Sequence, residues 1–445
     1  MDERFPLGRG PLVMLILFLI SSFFVVRSTV EGEKEVLEFW VFANTHYDEY
    51  KAREAAFEAA HPNVDVRITN FGGAMHDKLL AALLSGFGGP DLAEVEITSI
   101  GRFLKGPIDQ VGFVDLKPRL LQEGWWDRHV TARFAPWSYR GRTFGLPHDL
   151  HPVVLLYRHD LFQEAGIHME AIETWDQFVQ QTRPLAADLD GDGLQDRYPI
   201  VLGRRSHSDF FTLLLQRGGG MFDEQGEIII DRPLAVQTLE WYARLFREGV
   251  ARDYAGVGGY LDPATFALLR DGLACSVLAP DWYIGIMKKY FPEMAGAWRA
   301  RGLPRWEPGG RRTSTFGGTM IGMTVQCKNP DLAWEYMKFS YFDRQALVNR
   351  YEKTGILPPL KEAWDDPVFH RSDPFFGGQQ LGTLLIELAE EIPPRYQNPY
   401  WSEAADLFDE AVLNVIDGKI APADSLRRLA EQVRRLMEED RLSGS

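Results

Sequence analysis

Between Val36 and Ile97 the chain alternates short apolar runs with segments of helical period, and this alternation restricts the fold more than any other feature. Residues 36–42 read as a strand, 47–60 as a helix ending before Pro62, and 64–71 as a second strand. Met75, Leu79, Ala82 and Leu83 then mark one helix face, and residues 92–97 a third strand. Strands separated by helices of this length predict an open, largely parallel sheet covered on both faces. Ligands on such sheets sit beyond the carboxyl ends of the strands. That singles out Asn44, Thr45 and His46 after the first strand, and Glu96, Thr98 and Ser99 after the third.

A second α/β region begins near Val153. Residues 153–157 form an apolar run directly after His148, Asp149 and His151. A buried strand emerging from polar groups able to hydrogen-bond a ligand is the usual lining of a cleft between two lobes. Thr174 with Gln177 three residues later forms a capping box that opens a helix. A strand over 198–202 runs into Gly203-Arg-Arg-Ser-His-Ser-Asp, and 233–248 is a helix. The last helix has Pro422 in its first turn and Asp424 near the positive end of its dipole. Its stripe of Leu426, Leu429, Ala430, Val433, Leu436 and Met437 is core packing.

A chain of 445 residues is too long for one ordinary core, so two lobes are expected. The net charge of −15 argues against nucleic acid or an anionic membrane surface, either of which wants a clustered basic face. Residues 10–26 are apolar, preceded by Arg4 and Arg9 and followed by Arg27. Residues 1–28 are therefore expected to be a signal peptide or a retained N-terminal anchor, with the rest of the chain outside the cytoplasm. Cys275 and Cys327 lie in separate apolar settings and read as two buried thiols, with a disulfide as the alternative in an oxidising compartment.

Several segments, in order and spacing, carry a resemblance. They include Phe39-Trp-Val-Phe through Ala52-Arg-Glu-Ala-Ala-Phe-Glu, Gly89-Pro-Asp-Leu-Ala-Glu-Val-Glu, Gly145-Leu-Pro and Tyr157-Arg-His-Asp-Leu-Phe-Gln-Glu-Ala-Gly. Ala279-Pro-Asp-Trp-Tyr, Thr315-Phe-Gly-Gly, Asn329-Pro-Asp-Leu-Ala-Trp-Glu-Tyr-Met-Lys-Phe and Gly355-Ile-Leu-Pro complete the set. Over about residues 35–437 the chain resembles the maltose-binding-protein-like extracellular solute-binding proteins of ABC importers. The resemblance implies a two-lobed periplasmic-binding-protein fold, each lobe a mostly parallel sheet flanked by helices. Lobe one would comprise 35–150 with 319–363, and lobe two 153–316 with 367–445. Crossings would fall near His151, near 316–318 and in the 363–368 stretch. Such a protein captures a carbohydrate by hinge closure and delivers it to permease subunits; no catalysis and no cofactor are expected, and a monomer is.

Hydroxyl-rich ligands need planar polar side chains and aromatic faces. Where the resemblance puts the pocket, the chain offers Asp149 and His151 at the first crossing and Phe316 and Gly318 at the second. Lobe one contributes Thr45, His46, Glu96 and Thr98, and lobe two Ser206, His207 and Asp209. Asp281, Trp282 and Tyr283 follow a buried strand, and Tyr400 with Trp401 opens a late helix. Arg204-Arg205 keep an anionic sugar in view. In the acidic loop, Asp188, Asp190, Asp192 and Asp196 with the Leu194 carbonyl match the start of a calcium loop. Its twelfth position is Pro199, so the closing carboxylate is missing and any calcium would be structural. His148-x-x-His151 lacks a defined third metal ligand. The rival readings are a sensory ectodomain with the same fold and a secreted glycoside-active enzyme. Nucleophile-elbow, zinc-protease and phosphate-loop motifs are not found.

Overall fold

The computed structural model describes residues 13–18, 21, 34–256 and 258–443. Apart from 13–18 and Ser21, which are helical, the predicted leader lies outside the described residues. Among the described residues no helix is long and apolar enough to cross a membrane.

Twelve strands can be traced among the described residues: β1 (Glu35–Val41), β2 (Val64–Asn70), β3 (Leu92–Glu96), β4 (Ser138–Tyr139), β5 (Arg142–Thr143), β6 (Leu146–Pro147), β7 (Val153–Arg158), β8 (Ile200–Val201), β9 (Ala251–Arg252), β10 (Ser276–Pro280), β11 (Trp298–Gly302) and β12 (Thr319–Met323). The helices that position the site are α1 (Asn44–Ala60), α2 (Met75–Ser85), α3 (Trp175–Gln181), α4 (Ser208–Gln216), α5 (Pro233–Arg247), α6 (Asp281–Tyr290), α7 (Pro330–Tyr341), α8 (Arg344–Thr354), α9 (Trp401–Ile416) and α10 (Pro422–Ser443).

The first sheet runs β2-β1-β3-β12-β6 and the second β11-β7-β10-β8-β9, with β4 and β5 a separate hairpin. The parallel pairing expected from strand–helix alternation holds for β2-β1-β3 and for β10-β8-β9. The other half of each sheet is antiparallel: β12 pairs with β3 and β6, and β7 with β10 and β11. The sheets are thus mixed, because a strand arriving from the other lobe is not bound by the βαβ crossover rule that enforces parallel neighbours.

All six residues of β7 are buried, since helices cover both faces of the second sheet. Val153, Leu155 and Tyr157 face a core shared with α3, α4, α5, α9 and α10. Val154 and Leu156 face the opposite core, with Tyr283 and Met287 of α6 and Leu347 of α8. Each such aliphatic side chain contributes about 1.5–3 kcal/mol by leaving water. On the first sheet Leu37, Phe39 and Val41 pack on Tyr50, Phe57 and Tyr336. The Thr174 cap of α3 forms as expected, its side chain accepting from the Gln177 N–H while the Gln177 side chain accepts from the Thr174 N–H.

The chain leaves the first sheet after β6 and enters the second at β7, then returns between β11 and β12. These two passages lie side by side, joined by an antiparallel bridge between Pro152 and Thr315. Phe342 packs in the first sheet's core, while Leu347, Val348, Leu357 and Ala363 join a cluster that holds Val154, Leu156, Tyr283 and Met287 together with Val130 and Leu150. Both cysteines are free; Cys275 lies in a core of the second sheet and Cys327 packs on that of the first.

Candidate functional site

At the two adjacent passages four buried charges converge. His151 adopts a left-handed backbone (φ 53°), which aims its ring back between two carboxylates. Its Nδ1 is 2.6 Å from Asp281 Oδ1 and its Nε2 3.1 Å from Asp149 Oδ2. Arg133, from the helical turn preceding β4, donates to Asp149 Oδ1 (2.6 Å), the Asp149 carbonyl (2.8 Å), Thr315 Oγ1 (2.9 Å) and the Gly317 carbonyl (2.8 Å). The Thr319 N–H completes Asp149 Oδ2, and the Leu357 N–H completes Asp281 Oδ2. Burial alone would lower the His151 pKa, but Asp149 and Asp281 outweigh it and raise it to about 9. Burial alone would raise the Asp149 carboxyl, but His151 and Arg133 hold it well below the ordinary range.

This cluster joins the two adjacent passages to the start of α6 and to the segment after α8. Asp149, His151 and Asp281 thus meet one another and Arg133, and none of the three lines the cavities beside them. Gly318 belongs to the same device: with φ 148°, a Cβ there would lie 2.1 Å from the Arg133 guanidinium. A parallel network fastens the first lobe. His46 meets Glu94 (2.9 Å) and stacks on His148, so it too faces inward, while Thr45 is exposed on the first turn of α1. Burial pushes His148 down to about 4.

Beside the His151 cluster lies a 230 Å³ cavity bounded by both lobes. Glu96 and Thr98 line it from the first; His207, Ser208, Phe211 and Thr212 line it from the second. Trp282, Thr315, Phe316, Gly317 and Arg395 close it. Trp282 and Phe316 stack at 6.1 Å and present an aromatic wall. Phe316 and Ser208 also border a 770 Å³ cavity on the second lobe, lined further by Arg205, Ser206, Asp209, Asp253, Tyr254 and Tyr260. Asp209 accepts from the Gly203 N–H (2.7 Å) and Tyr254 Oη (2.6 Å); burial raises its pKa to about 6 in spite of them. His207 is held by Asp409 (2.8 Å) and stacks on Phe408.

Of the residues expected at a pocket, the structure thus brings Glu96, Thr98, Ser206, His207, Asp209, Trp282 and Phe316 to these connected cavities. Tyr283 and Trp401 are corrections. Tyr283 is fully buried against Tyr260 and Phe266, and Trp401 is 1% exposed within the second lobe's core. Tyr400 is occupied with Asp440 (2.6 Å) and with Lys105 over its ring. The Tyr283 hydroxyl has no hydrogen-bond partner among the described residues, so Tyr283→Phe is expected to stabilise by up to about 1 kcal/mol in urea unfolding without touching ligand affinity. A destabilised variant, or one with weakened binding, would contradict this placement.

Arg133, Arg395, Phe211, Tyr254 and Tyr260 were not anticipated. Tyr254 and Tyr260 lie between β9 and β10, in a Gly-rich segment with no periodicity. In the acidic loop Asp188, Asp190 and Asp196 each place a carboxylate oxygen within 4.8 Å of the others. Asp192 does not join them; it accepts from the Leu194 N–H, a local turn bond.

The fold has close relatives in shape. A sugar-binding protein MalE from Xanthomonas citri superposes with a TM-score of 0.77 at 18% identity, over 92% of this chain and 98% of that one. A cyclo/maltodextrin-binding protein complexed with maltotetraose gives 0.70 at 20% identity, over 91% and 98%. In sequence, the arabinooligosaccharide-binding protein of Halalkalibacterium halodurans is 27% identical over 93% of this chain and 92% of its own length. That of Bacillus subtilis is 26% identical over 90% and 92%. The profile of bacterial extracellular solute-binding proteins matches residues 44–346, and the chain belongs to that family.

Proposed function

We propose that the chain binds an oligosaccharide between its lobes, outside the cytoplasm, and presents it as a monomer to the membrane subunits of an ABC importer. The observation that carries this reading is the pair of cavities meeting at Ser208 and Phe316. The smaller one takes polar groups from both lobes around an aromatic wall, which suits a sugar ring with its hydroxyls at the edge and its C–H surface on Trp282. The larger one gives the remaining sugar units a path along Tyr254 and Tyr260. The two arabinooligosaccharide-binding relatives favour a pentose oligosaccharide, and the maltotetraose complex a glucose polymer.

Contacts from both lobes to one ligand exist only when the lobes are together, so ligand shifts the population toward closure by its differential affinity. The His151 cluster sits where that rotation must be absorbed. A charged fastener there keeps the passages in register while the surrounding backbone turns.

The test is a thermal-shift panel of neutral mono- and oligosaccharides, including arabinotriose and maltotriose, on the purified full-length chain. A ligand at a hundredfold excess over its Kd stabilises by about 2.7 kcal/mol, a rise of several degrees in Tm. Trp282→Ala should abolish the response; because Trp282 also packs on Tyr260, Tyr283 and Phe316, the response is read against the variant's own lowered unliganded Tm. No response to any sugar would sink the reading.

A further inference from the structure

Arg395 is a buried cation with no acceptor among the described residues. Its side chain is 5% exposed, and its Nε has no hydrogen-bond partner among the described residues. Other buried arginines are paired: Arg133 as described, and Arg350 with Glu49 at 2.7 Å. Arg395 instead lies against two rings, 4.6 Å from the Trp401 centroid and 5.2 Å from that of Phe211. The guanidinium thus lies against two rings, and Arg395 contributes to the wall of the 230 Å³ cavity. Burial lowers its pKa to about 10, still far above neutrality, so it stays charged.

Glu96 lines the same cavity from the other lobe. Its Oε2 accepts from the N–H and hydroxyl of Thr98; Oε1 has no partner among the described residues. The two side chains form no ion pair within 4.0 Å among the described residues, so a space separates a group that only donates from a group that only accepts. A buried charge left so is costly, and a ligand that satisfies both is strongly favoured.

Resting on the reading of the cleft as a sugar site, we infer that Arg395 and Glu96 form a specificity-determining pair that selects an uncharged vicinal diol on the innermost sugar unit. A diol accepts from the guanidinium through one oxygen and donates to the carboxylate through the other. A carboxylate-bearing sugar serves Arg395 but confronts Glu96 with a second anion. An amino sugar serves Glu96 but confronts Arg395 with a second cation. The pair therefore excludes both charged classes from a position that a lone arginine would open to anions.

Calorimetric titration of the full-length chain tests this, with arabinotriose and maltotriose each paired with its singly oxidised uronate and its singly aminated counterpart. Wild type is expected to bind a neutral sugar at least about tenfold more tightly than either charged partner. Arg395→Gln should lose on the order of 10- to 100-fold on the neutral sugar, with Arg395→Lys between the two because the charge remains and the planar fork does not. Glu96→Gln should narrow the gap between the neutral sugar and the uronate. Uronate binding as tight as neutral binding in wild type, or unchanged neutral affinity in Arg395→Gln, overturns the inference and leaves the sugar reading standing. If Arg395→Gln unfolds, the wild-type charge discrimination and the Glu96→Gln shift decide the matter alone. Failure of every neutral sugar to bind wild type overturns both readings together.

Discussion

Asp149→Ala is expected to cost about 3–5 kcal/mol of stability, the range for removing one partner from a buried ion pair. The deletion leaves Arg133, 1% exposed, with only neutral acceptors, and leaves His151 with a single carboxylate. It also strips the Thr319 N–H of its acceptor at the start of β12. The loss should appear in urea unfolding as a lower midpoint. The contrasting case is the exposed pair Arg270–Asp271, whose removal should leave the urea midpoint nearly unchanged because solvent screens it. If the two deletions cost the same, the cluster at the lobe crossing is not a fastener and its buried charges need another explanation.

The second large effect is with pH. His151 has its folded pKa raised to about 9 from an unfolded value near 6.5. Its contribution is therefore complete below about pH 6.5 and is lost as pH rises through 9, a fall of a few kcal/mol by linkage. Asp149, depressed in the fold, contributes above the ordinary carboxylate pKa and loses that contribution as pH falls through its lowered value. Stability from this cluster should thus plateau between the two limits. His46, raised beside Glu94 against the opposing effect of burial, adds to the alkaline fall in the same direction. Comparison with His151→Asn separates them, since asparagine tolerates the left-handed backbone at this position but carries no charge. Unfolding free energies at pH 6 and 9.5 should converge for the variant far more than for wild type; an identical alkaline slope would contradict the assignment.

The strand–helix order and the ends of β1 to β3 were legible because periodicity is local. So were the Thr174 cap and the stripe of α10. Glu96, Thr98, Ser206 and Trp282 were legible at the cavities because strand ends and helix starts point where the fold opens. The misplacements have physical reasons. A polar residue at a lobe crossing reads the same whether it meets a ligand or another charge, and Asp149, His151 and Asp281 meet one another.

Trp401 reads as a stacking platform by type. It nevertheless shares a helix face with Ala404, Phe408, Ala411, Val412 and Val415, a spacing that marks core. Tyr283 falls likewise with Ile284 and Met287, on the opposite side of α6 from Trp282. Arg133 and Arg395 sit in proline-containing irregular segments, Thr131–Trp137 and the run after Pro393-Pro394. An arginine there looks solvated until the chain is folded around it.

Capture in the cleft requires one ligand to bridge the two lobes. Hydrogen exchange of the full-length chain, free and saturated with the tightest-binding oligosaccharide of the panel, tests it most directly. Slowed exchange is expected in segments of both lobes at once: around Glu96–Thr98 on the first, and across Ser206–Thr212 and at Tyr254, Tyr260 and Arg395 on the second. Slowing confined to one lobe, with exchange at Glu96–Thr98 unchanged, would contradict capture in the cleft.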